Sequence, residues 1–335
     1  MILRFLLLIF SALTISLGIE SLSSYAEPII QPSTQISPKL AQVYVDYFGR
    51  GVQKKLWGDN KGAVADFTEA IRLKPDYADA YYNRGFVKGT LGDNKGAIAD
   101  FTESIRLKPD DANAYYIRGV VKGKLGDKYG AIADYTESIR LKPDYASTYY
   151  NRGIIKGTLG DNKGAIADWS EAIRLKLDDA TVYSIRGVAK SDLGDKYGAI
   201  ADYTEAIRLK PDYAIAYYNR GIAKSTLGDN KGAIADWSEA IRLKPDDADA
   251  YYNRGIAKGT LGDYKGAIAD WSEAIRLKPD DAKIYYNRGV AKYALGDKQG
   301  VLNDLRRAAQ LFQRQGNTEQ YQNALKQIGA IEKLR

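Results

Sequence analysis

The chain contains no cysteine and no histidine among its 335 residues. These absences remove thiolate and imidazole nucleophiles, the commonest general base and the usual zinc ligands. They also mean that the fold is held without disulfides. We therefore expect no catalytic residues, no metal and no cofactor. An enzyme that uses Asp, Glu or Lys remains a minor alternative, and an acidic cluster with strongly shifted pKa values would indicate it.

Basic residues are in excess, but the excess lies at one end of the chain. The formal net charge is +7, and from Lys283 onward there are ten basic and only four acidic residues. The remainder of the chain is therefore almost neutral. Because nucleic-acid binding needs a broad basic surface, we expect no nucleic acid as a partner. The basic C terminus is a candidate contact for anionic lipid, although a solvated helix face explains it more simply.

Residues 1–26 have the pattern of an export signal. Arg4 precedes an apolar run, and the small residues Ser24 and Ala26 precede a cleavage site before Glu27. The apolar run is shorter than the roughly 20 residues of a membrane span. We therefore expect cleavage and export to the periplasm or the extracellular space; a retained signal would anchor the protein in the membrane. Residues 27–43 follow as a proline-rich linker and lead-in.

A 34-residue repeat fills most of the chain. Gly58 recurs at this spacing up to Gly296, and a proline recurs in the same way except where Leu177 takes its place. Eight repeat units span residues 44–315. A fixed period of this length is typical of a solenoid, in which each unit packs mainly on its neighbours.

Each unit has the signals of a helical hairpin. Asp79 is expected to cap a first helix, and Gly92 to end it in the left-handed conformation. Asp93 is then expected to cap a second helix, which carries an apolar stripe and stops near Pro109. Gly96 lies near the start of this second helix, and helix propensity alone does not explain it.

The residues of one unit resemble the tetratricopeptide repeat, or TPR. The family's pattern of aromatic, small and proline positions is matched in part by Tyr81, Gly85, Ala97, Phe101 and Pro109. The resemblance covers about four-fifths of the chain. It implies an all-α fold, a right-handed α-solenoid of eight TPR helical hairpins, with residues 316–335 as a C-terminal capping helix.

Two positions depart from the family pattern in every unit, because the family's Leu is Arg84 here and its Tyr is Lys88. Asp100 also recurs in every unit. An unpaired charge between packed helices is costly, so we expect the arginine and the aspartate to pair within each hairpin. The expected pairs are Arg50 with Asp66, Arg84 with Asp100, Arg118 with Asp134, and Arg152 with Asp168. An arginine ladder that binds anions is the alternative.

In TPR arrays the first helices line a concave groove, so the resemblance implies a binding surface. The expected contacts form a tyrosine row and an asparagine row with an apolar residue beside them. They are Tyr82, Asn83, Phe86, Tyr116, Tyr150, Asn151, Tyr218, Asn219, Tyr252 and Asn253. Tyrosine offers contact area and a polar tip at low entropic cost, which suits recognition. The alternative is that the tyrosines pack on the next unit.

The expected groove also limits the ligand. Glycines at positions 89, 123, 157 and 259 would leave shallow hollows. The acidic-tail clamp of one TPR subgroup does not fit the first three units, whose residues at its charged and amide positions are Phe48, Val52, Asn113 and Ile117. Because the rows are neutral and apolar, we expect a protein or peptide partner, either an amphipathic helix or an extended apolar segment.

The chain departs from the repeat in two places. The fifth unit differs most, with Leu177 before it and Ser184 in the tyrosine row, which indicates drift in a redundant array or a specific pocket. After Gln315, Asn317 or Thr318 is expected to cap the final helix. Its apolar stripe would be Tyr321, Leu325, Ile328 and Ile331.

The sequence as a whole favours a non-catalytic scaffold or assembly factor of the cell envelope that binds a protein or peptide. A glycan-binding envelope protein is the alternative, because tyrosines beside asparagines also suit sugars. Near-identical units leave no single residue that stands out as a reactive centre. No oligomer is predicted.

Overall fold

The computed structural model describes residues 38–333, with side chains described from residue 42. The expected export signal and most of the linker lie outside the described residues. Between residues 38 and 333 the regular structure is entirely α-helical, which confirms the all-α fold. Among the helices of this range, none combines the length and apolar character that crossing a bilayer requires.

The described residues divide into two compact units, one that ends at Asp178 and one that begins at Asp179. In the first unit, consecutive helices pack in pairs and each pair packs on the next. The first helix begins at Pro38, so it includes part of the segment expected to be a lead-in. The helices are α1 (Pro38–Leu56), α2 (Asn60–Leu73), α3 (Ala78–Thr90), α4 (Asn94–Leu107), α5 (Ala112–Lys124), α6 (Lys128–Leu141), α7 (Ala146–Thr158) and α8 (Asn162–Arg174).

The second unit repeats this arrangement and adds the expected capping helix. Its helices are α9 (Ala180–Asp192), α10 (Lys196–Leu209), α11 (Ala214–Thr226), α12 (Asn230–Leu243), α13 (Ala248–Thr260), α14 (Tyr264–Leu277), α15 (Ala282–Ala294), α16 (Lys298–Arg314) and α17 (Thr318–Lys333). The last helix packs on α16, so the core of the final hairpin is covered.

The boundary between the two helices of a hairpin follows the sequence signals. Gly92 has a φ of 87°, which a glycine adopts without strain. The Asp93 carboxylate then accepts a hydrogen bond of 2.9 Å from the Gly96 N–H. The expectation for Asp79 is wrong, because α3 begins after Tyr77 and Asp79 lies within its first turn. There the carboxylate interacts with the helix dipole but caps nothing.

The cap geometry also accounts for Gly96. A Cβ atom on this residue would lie 2.1 Å from Asp93 Oδ2. The same short approach recurs between the capping aspartate and the third residue of every second helix. Glycine therefore lets the capping carboxylate keep this position without displacement.

A large ring packs on a glycine in each of the first seven hairpins, and Leu305 takes the place of the ring in the eighth. Phe101 and Trp169 occupy the same place in different repeats, and both are buried. A Cβ on Gly153 would lie 2.6 Å from Trp169 Nε1, so only glycine lets the two helices approach this closely. The indole N–H donates to the Tyr150 carbonyl oxygen at 3.3 Å, which satisfies the polar atom of the buried ring.

The end of α8 differs from the other second helices because Leu177 replaces proline. Lys176 has a φ of 66°, in the left-handed region. The Leu177 N–H donates to the Ala172 carbonyl oxygen at 3.0 Å, a bond that proline has no N–H to form. The other Lys–Pro turns instead end with the lysine in an extended conformation, as Lys142 does with a φ of −137°.

The capping helix α17 confirms one of the two expected caps. Asn317 Oδ1 accepts a hydrogen bond of 3.2 Å from the Gln320 N–H. Ile328 and Ile331 are buried against the last hairpin. The expectation for Leu325 is wrong, because this side chain is 40% exposed. Ala324 is buried in its stead.

Candidate functional site

A three-residue ion-pair cluster joins the two helices of each hairpin. Arg84 donates to both oxygens of Asp100, with distances of 3.0 Å from Nε and 2.7 Å from Nη2. Lys88 Nζ lies 2.8 Å from Asp100 Oδ2. The four expected Arg–Asp pairs are confirmed, and the same arrangement recurs in every hairpin. The lysine was missed as a partner, although its recurrence beside the arginine was visible in the sequence.

Within each compact unit, the arginine of a cluster also hydrogen bonds to the preceding repeat where there is one. Arg84 Nη1 donates to Thr68 Oγ1 at 3.1 Å, and its guanidinium lies over the Tyr81 ring at 5.5 Å. The guanidinium is therefore engaged by the protein itself, which disfavours the anion-binding ladder. The described acidic residues form no group of three or more that would hold a metal ion.

The first hairpin has no preceding repeat, and its cluster is correspondingly more open. The Arg50 side chain is 54% exposed, whereas that of Arg152 is 15% exposed. The hydrogen bond from Arg50 holds the pKa of Asp66 below its usual range, and burial acts in the opposite direction.

The expected tyrosine row is largely packed inside the protein. The rings of Tyr116, Tyr150 and Tyr218 are only 6–8% exposed. Those of Tyr82 and Tyr252 are half-buried, and Tyr82 meets Phe101 edge-on at 5.6 Å. The open aromatic surface expected from the sequence is therefore corrected to a row of packed rings. We call the side of the first helices that carries the positions of Tyr82, Asn83 and Phe86 the groove face.

Asparagines of the groove face hydrogen bond to tyrosines of the preceding repeat. Asn151 Nδ2 donates to the Tyr116 hydroxyl at 3.0 Å, and Asn253 Nδ2 donates to the Tyr218 hydroxyl at 2.9 Å. Asn287, which the sequence analysis did not select, donates to Tyr252 at 3.1 Å. These asparagines keep their amide oxygens for other partners. Both residues of the first two pairs were predicted from the sequence as site residues, but their contact between repeats was not.

Two asparagines lack a tyrosine in the preceding repeat. Asn83 would face Phe48, and its Oδ1 instead accepts a hydrogen bond of 2.7 Å from Lys55 Nζ. Burial lowers the pKa of Lys55, whose ammonium also lies 5.4 Å from the centre of the Phe86 ring. Asn219 would face Ser184, which is fully buried.

Two cavities open on the groove face of the second unit. The first has a volume of about 360 Å³ and is lined by Ile256, Gly259, Thr260, Tyr264, Trp271, Asn287, Val290 and Ala291. The second, of about 390 Å³, is lined by Tyr252, Lys283, Tyr286, Asn287, Phe312, Asn317 and Gln320. The two share Asn287. An apolar cavity therefore lies directly beside a polar one.

Solved structures with the same fold include three TPR proteins. The C-terminal part of a TPR repeat-containing protein from Cytophaga hutchinsonii is 19% identical, with a TM-score of 0.63, over 72% of this chain and 98% of that one. A protein from Parabacteroides merdae is 18% identical, with a TM-score of 0.51, over 75% and 99%. YrrB, described as a TPR protein with an unusual peptide-binding site, is 21% identical, with a TM-score of 0.52, over 55% and 95%. At these identities the likeness shows the fold alone.

Sequence profiles agree with the structural comparison, while a comparison with curated proteins finds no match. The profile described as TPR repeat matches residues 57–92, 191–228, 226–262 and 260–296. The profile described as tetratricopeptide repeat matches residues 78–111 and 112–145. Together they cover more than half of the chain. The chain belongs to the tetratricopeptide repeat family, whose arrays typically act as non-catalytic scaffolds for protein interaction.

Proposed function

We propose that this protein is an envelope scaffold or assembly factor that binds a segment of a partner protein on its groove face. The main support for this proposal is the position at which the repeats differ in sequence. The second helices are nearly invariant, with "GAIAD" in six of the eight units. At one position of the first helices the residue changes from repeat to repeat: Asp79, Asn113, Ser147, Thr181, Ile215, Asp249 and Lys283.

This contrast distinguishes the residues that pack the core from those that can recognise a partner. The second helices carry the buried ring and the aspartate of the ion-pair cluster, so their sequence is constrained by the core. The varied position lies one turn before Asn83, which donates to the Asp79 carbonyl oxygen at 2.9 Å. A surface whose residues differ along an otherwise uniform array presents a specific pattern to an elongated partner.

Photo-crosslinking in envelope extracts tests the site. A p-benzoylphenylalanine residue replaces Asn219, which is half-buried on the groove face. The matched control places it at Lys231, an exposed residue of a second helix. We expect a discrete crosslinked protein from position 219 and none from 231. Equal crosslinking at both positions would remove the groove face as the site, and competition by oligosaccharides would favour the glycan-binding alternative.

The proposed location in the envelope rests on residues 1–26, which have a short apolar run and small residues before Glu27. The intact mass of the protein isolated from envelope fractions tests it. We expect the mass of residues 27–335. Retention of the first 26 residues in the mature protein would contradict cleavage and favour a membrane anchor.

A further inference from the structure

The exposed apolar side chains of the first compact unit are concentrated where the first helix of a hairpin ends and the turn to the second helix begins. We call these positions the turn edge, and it consists of residues 56–61, 90–95, 124–129 and 158–163. Its exposed large hydrophobic residues are Leu56, Trp57, Leu91, Leu125, Tyr129 and Leu159. Among the described residues of this unit, the only others are Val43 and Val45 in α1.

Packing between hairpins brings these turns to the same edge of the unit. A Cβ on Gly89 of α3 would lie 4.0 Å from Val121 of α5, and one on Gly123 of α5 would lie 3.4 Å from Ile155 of α7. All four residues belong to the last turns of first helices, so the C-terminal ends of neighbouring first helices lie side by side. Because α1 also packs on α3, the four turns line one edge.

The apolar residue of these turns is nearly the same in each hairpin. Leucine follows the first helix in three of the four hairpins, and Trp57 takes its place in the first. By contrast, the position of Asp79 on the first helices changes from one repeat to the next. A uniform apolar row suits a partner that has no sequence to be read, such as a lipid surface, whose binding depends on apolar area and charge.

The turn edge also carries a small excess of positive charge, with five lysines and four aspartates. Each aspartate accepts a hydrogen bond of 2.9 Å from a backbone N–H at the start of the second helix, where the helix dipole offsets its charge. Four exposed lysines of the edge have no carboxylate partner among the described residues. They are Lys61, Lys95, Lys124 and Lys163.

Other turns of the protein do not combine these two properties. The turns between hairpins of the first unit, residues 74–79, 108–113 and 142–147, carry three lysines and five aspartates and no exposed large hydrophobic residue. The second unit exposes the equivalent leucines, but its four equivalent six-residue windows, from residues 192–197 to 294–299, carry four lysines and five aspartates. An anionic surface is therefore favoured at the turn edge of the first unit.

We propose that the turn edge of the first unit binds the interfacial layer of an anionic phospholipid bilayer. Trp57 and Tyr129 are of the two residue types that are enriched at membrane interfaces, and the lysines contact the lipid phosphates. The leucines add apolar area that the lipid covers. The groove face lies along the middle of the first helices, so it stays open to a protein partner. The inference goes beyond the proposed function and does not depend on it.

Trp57 is a native probe of this contact, because it is 77% exposed whereas Trp169, Trp237 and Trp271 are at most 5% exposed. The expected mature protein, residues 27–335, is titrated with vesicles of phosphatidylcholine and phosphatidylglycerol in equal parts. The emission of a Trp57→Phe variant is subtracted. We expect the Trp57 emission to shift to shorter wavelength and to be quenched by spin-labelled lipids. Vesicles of phosphatidylcholine alone should bind about tenfold or more weakly.

Paired variants test the apolar residues. Leu125→Gln with Tyr129→Gln should weaken vesicle binding about tenfold or more, because two apolar side chains lose their contact with lipid. The eighth repeat already carries glutamine at the place of Tyr129, namely Gln299, so the fold accepts this residue. Val43→Gln with Val45→Gln is the matched control, because it removes exposed apolar residues outside the turn edge, and it should change binding little.

The charge is tested in the same assay. Lys61→Glu with Lys95→Glu should weaken vesicle binding about tenfold or more, because both changes bring negative charge to the anionic surface. Lys108→Glu with Lys142→Glu makes the same charge change in the turns between hairpins and should have a much smaller effect. Circular dichroism of each variant checks that the helix content is retained.

Three results would overturn the inference. The first is a Trp57 emission that the anionic vesicles leave unchanged. The second is vesicle binding by the Leu125→Gln and Tyr129→Gln variant that is as tight as that of wild type. The third is an emission shift that follows protein concentration without vesicles, because a second copy of the chain would then cover the turn edge. Crosslinking at position 219 tests the groove face separately, so the two proposals can fail independently.

Discussion

At the scale of single residues, the ion-pair cluster decides which charges the fold tolerates. Asp168 is almost fully buried and is held by Arg152 and Lys156 at 2.7 and 2.8 Å. Removing one partner leaves a buried carboxylate with incomplete compensation. We therefore predict that Arg152→Ala lowers the free energy of unfolding by about 3 kcal/mol, at the low end of values for broken buried pairs because the lysine remains. Urea unfolding measures this change.

Two companion variants distinguish burial of the charge from loss of packing. Asp168→Asn in the Arg152→Ala background should recover part of the loss, because the uncompensated charge is removed. Arg50→Ala removes the equivalent arginine where its side chain is 54% exposed, so we expect about 1 kcal/mol or less. A wild-type unfolding curve for Arg152→Ala would show that the pair adds nothing.

Glycine at the start of the second helix gives the next prediction. Helix propensity alone favours alanine over glycine by up to about 1 kcal/mol in a helix interior. At Gly96 we expect the opposite sign, because a Cβ would displace the Asp93 carboxylate and break a cap worth about 1 kcal/mol. Gly96→Ala should therefore destabilise the protein. Gly49→Ala in α1, where a Cβ would meet no atom within 4 Å, should stabilise it. Thermal melting of both variants compares the signs, and a stabilised Gly96→Ala variant would contradict the cap argument.

At the scale of elements, the end of α8 is the clearest departure from the repeat. A non-glycine residue in the left-handed conformation costs about 1–2 kcal/mol, and Lys176 adopts it with a φ of 66°. Lys176→Gly should relieve much of this cost and raise the melting temperature. Lys142→Gly is the matched control, because its φ of −137° suits any residue and added chain entropy should lower stability. Equal effects of the two changes would show that Lys176 is not strained.

The elements show which inferences a sequence allows. The 34-residue period, the left-handed glycine at Gly92 and the cap at Asp93 follow from neighbours in sequence, and the structure confirms them. The Arg–Asp pair was predictable because both residues recur at fixed spacing. Asp79 was misassigned because Tyr77 precedes the helix without a side-chain cap, and several residues near a helix start suit the same role.

The candidate site was less predictable because its properties arise between repeats. Burial of Tyr116 and its hydrogen bond to Asn151 depend on how closely the next hairpin packs. The hollow at Gly259 depends on Ala291, which is 32 positions away and exerts its effect only when α13 and α15 are adjacent. The expected hollows at Gly89 and Gly123 are covered by Val121 and Ile155 for the same reason. The glycines in the sequence indicated where hollows could form. Which residue covers each hollow was known only from the packing of the helices.

At the scale of the whole molecule, buried tyrosines make stability depend on alkaline pH. Burial raises the pKa values of Tyr135 and Tyr203, one in each compact unit, well above the ordinary value of about 10. The folded protein keeps these phenols neutral, whereas the unfolded chain loses their protons above about pH 10. Their contribution to stability is therefore fully present below pH 10 and is lost as the pH rises.

The double variant Tyr135→Phe and Tyr203→Phe tests this dependence without disturbing the packing, because Phe67 and Phe101 already occupy the same place in the first two repeats. We predict that wild type loses about 2 kcal/mol more than the variant between pH 10 and 11, since each phenol contributes about 1 kcal/mol over this interval when the unfolded pKa is about 10. Urea midpoints across this range measure the difference, and lysines that titrate in both proteins cancel. Tyr129→Phe with Tyr197→Phe is the control, because both side chains are 77% exposed. Parallel pH curves for wild type and the buried-site variant would show that the phenols do not contribute.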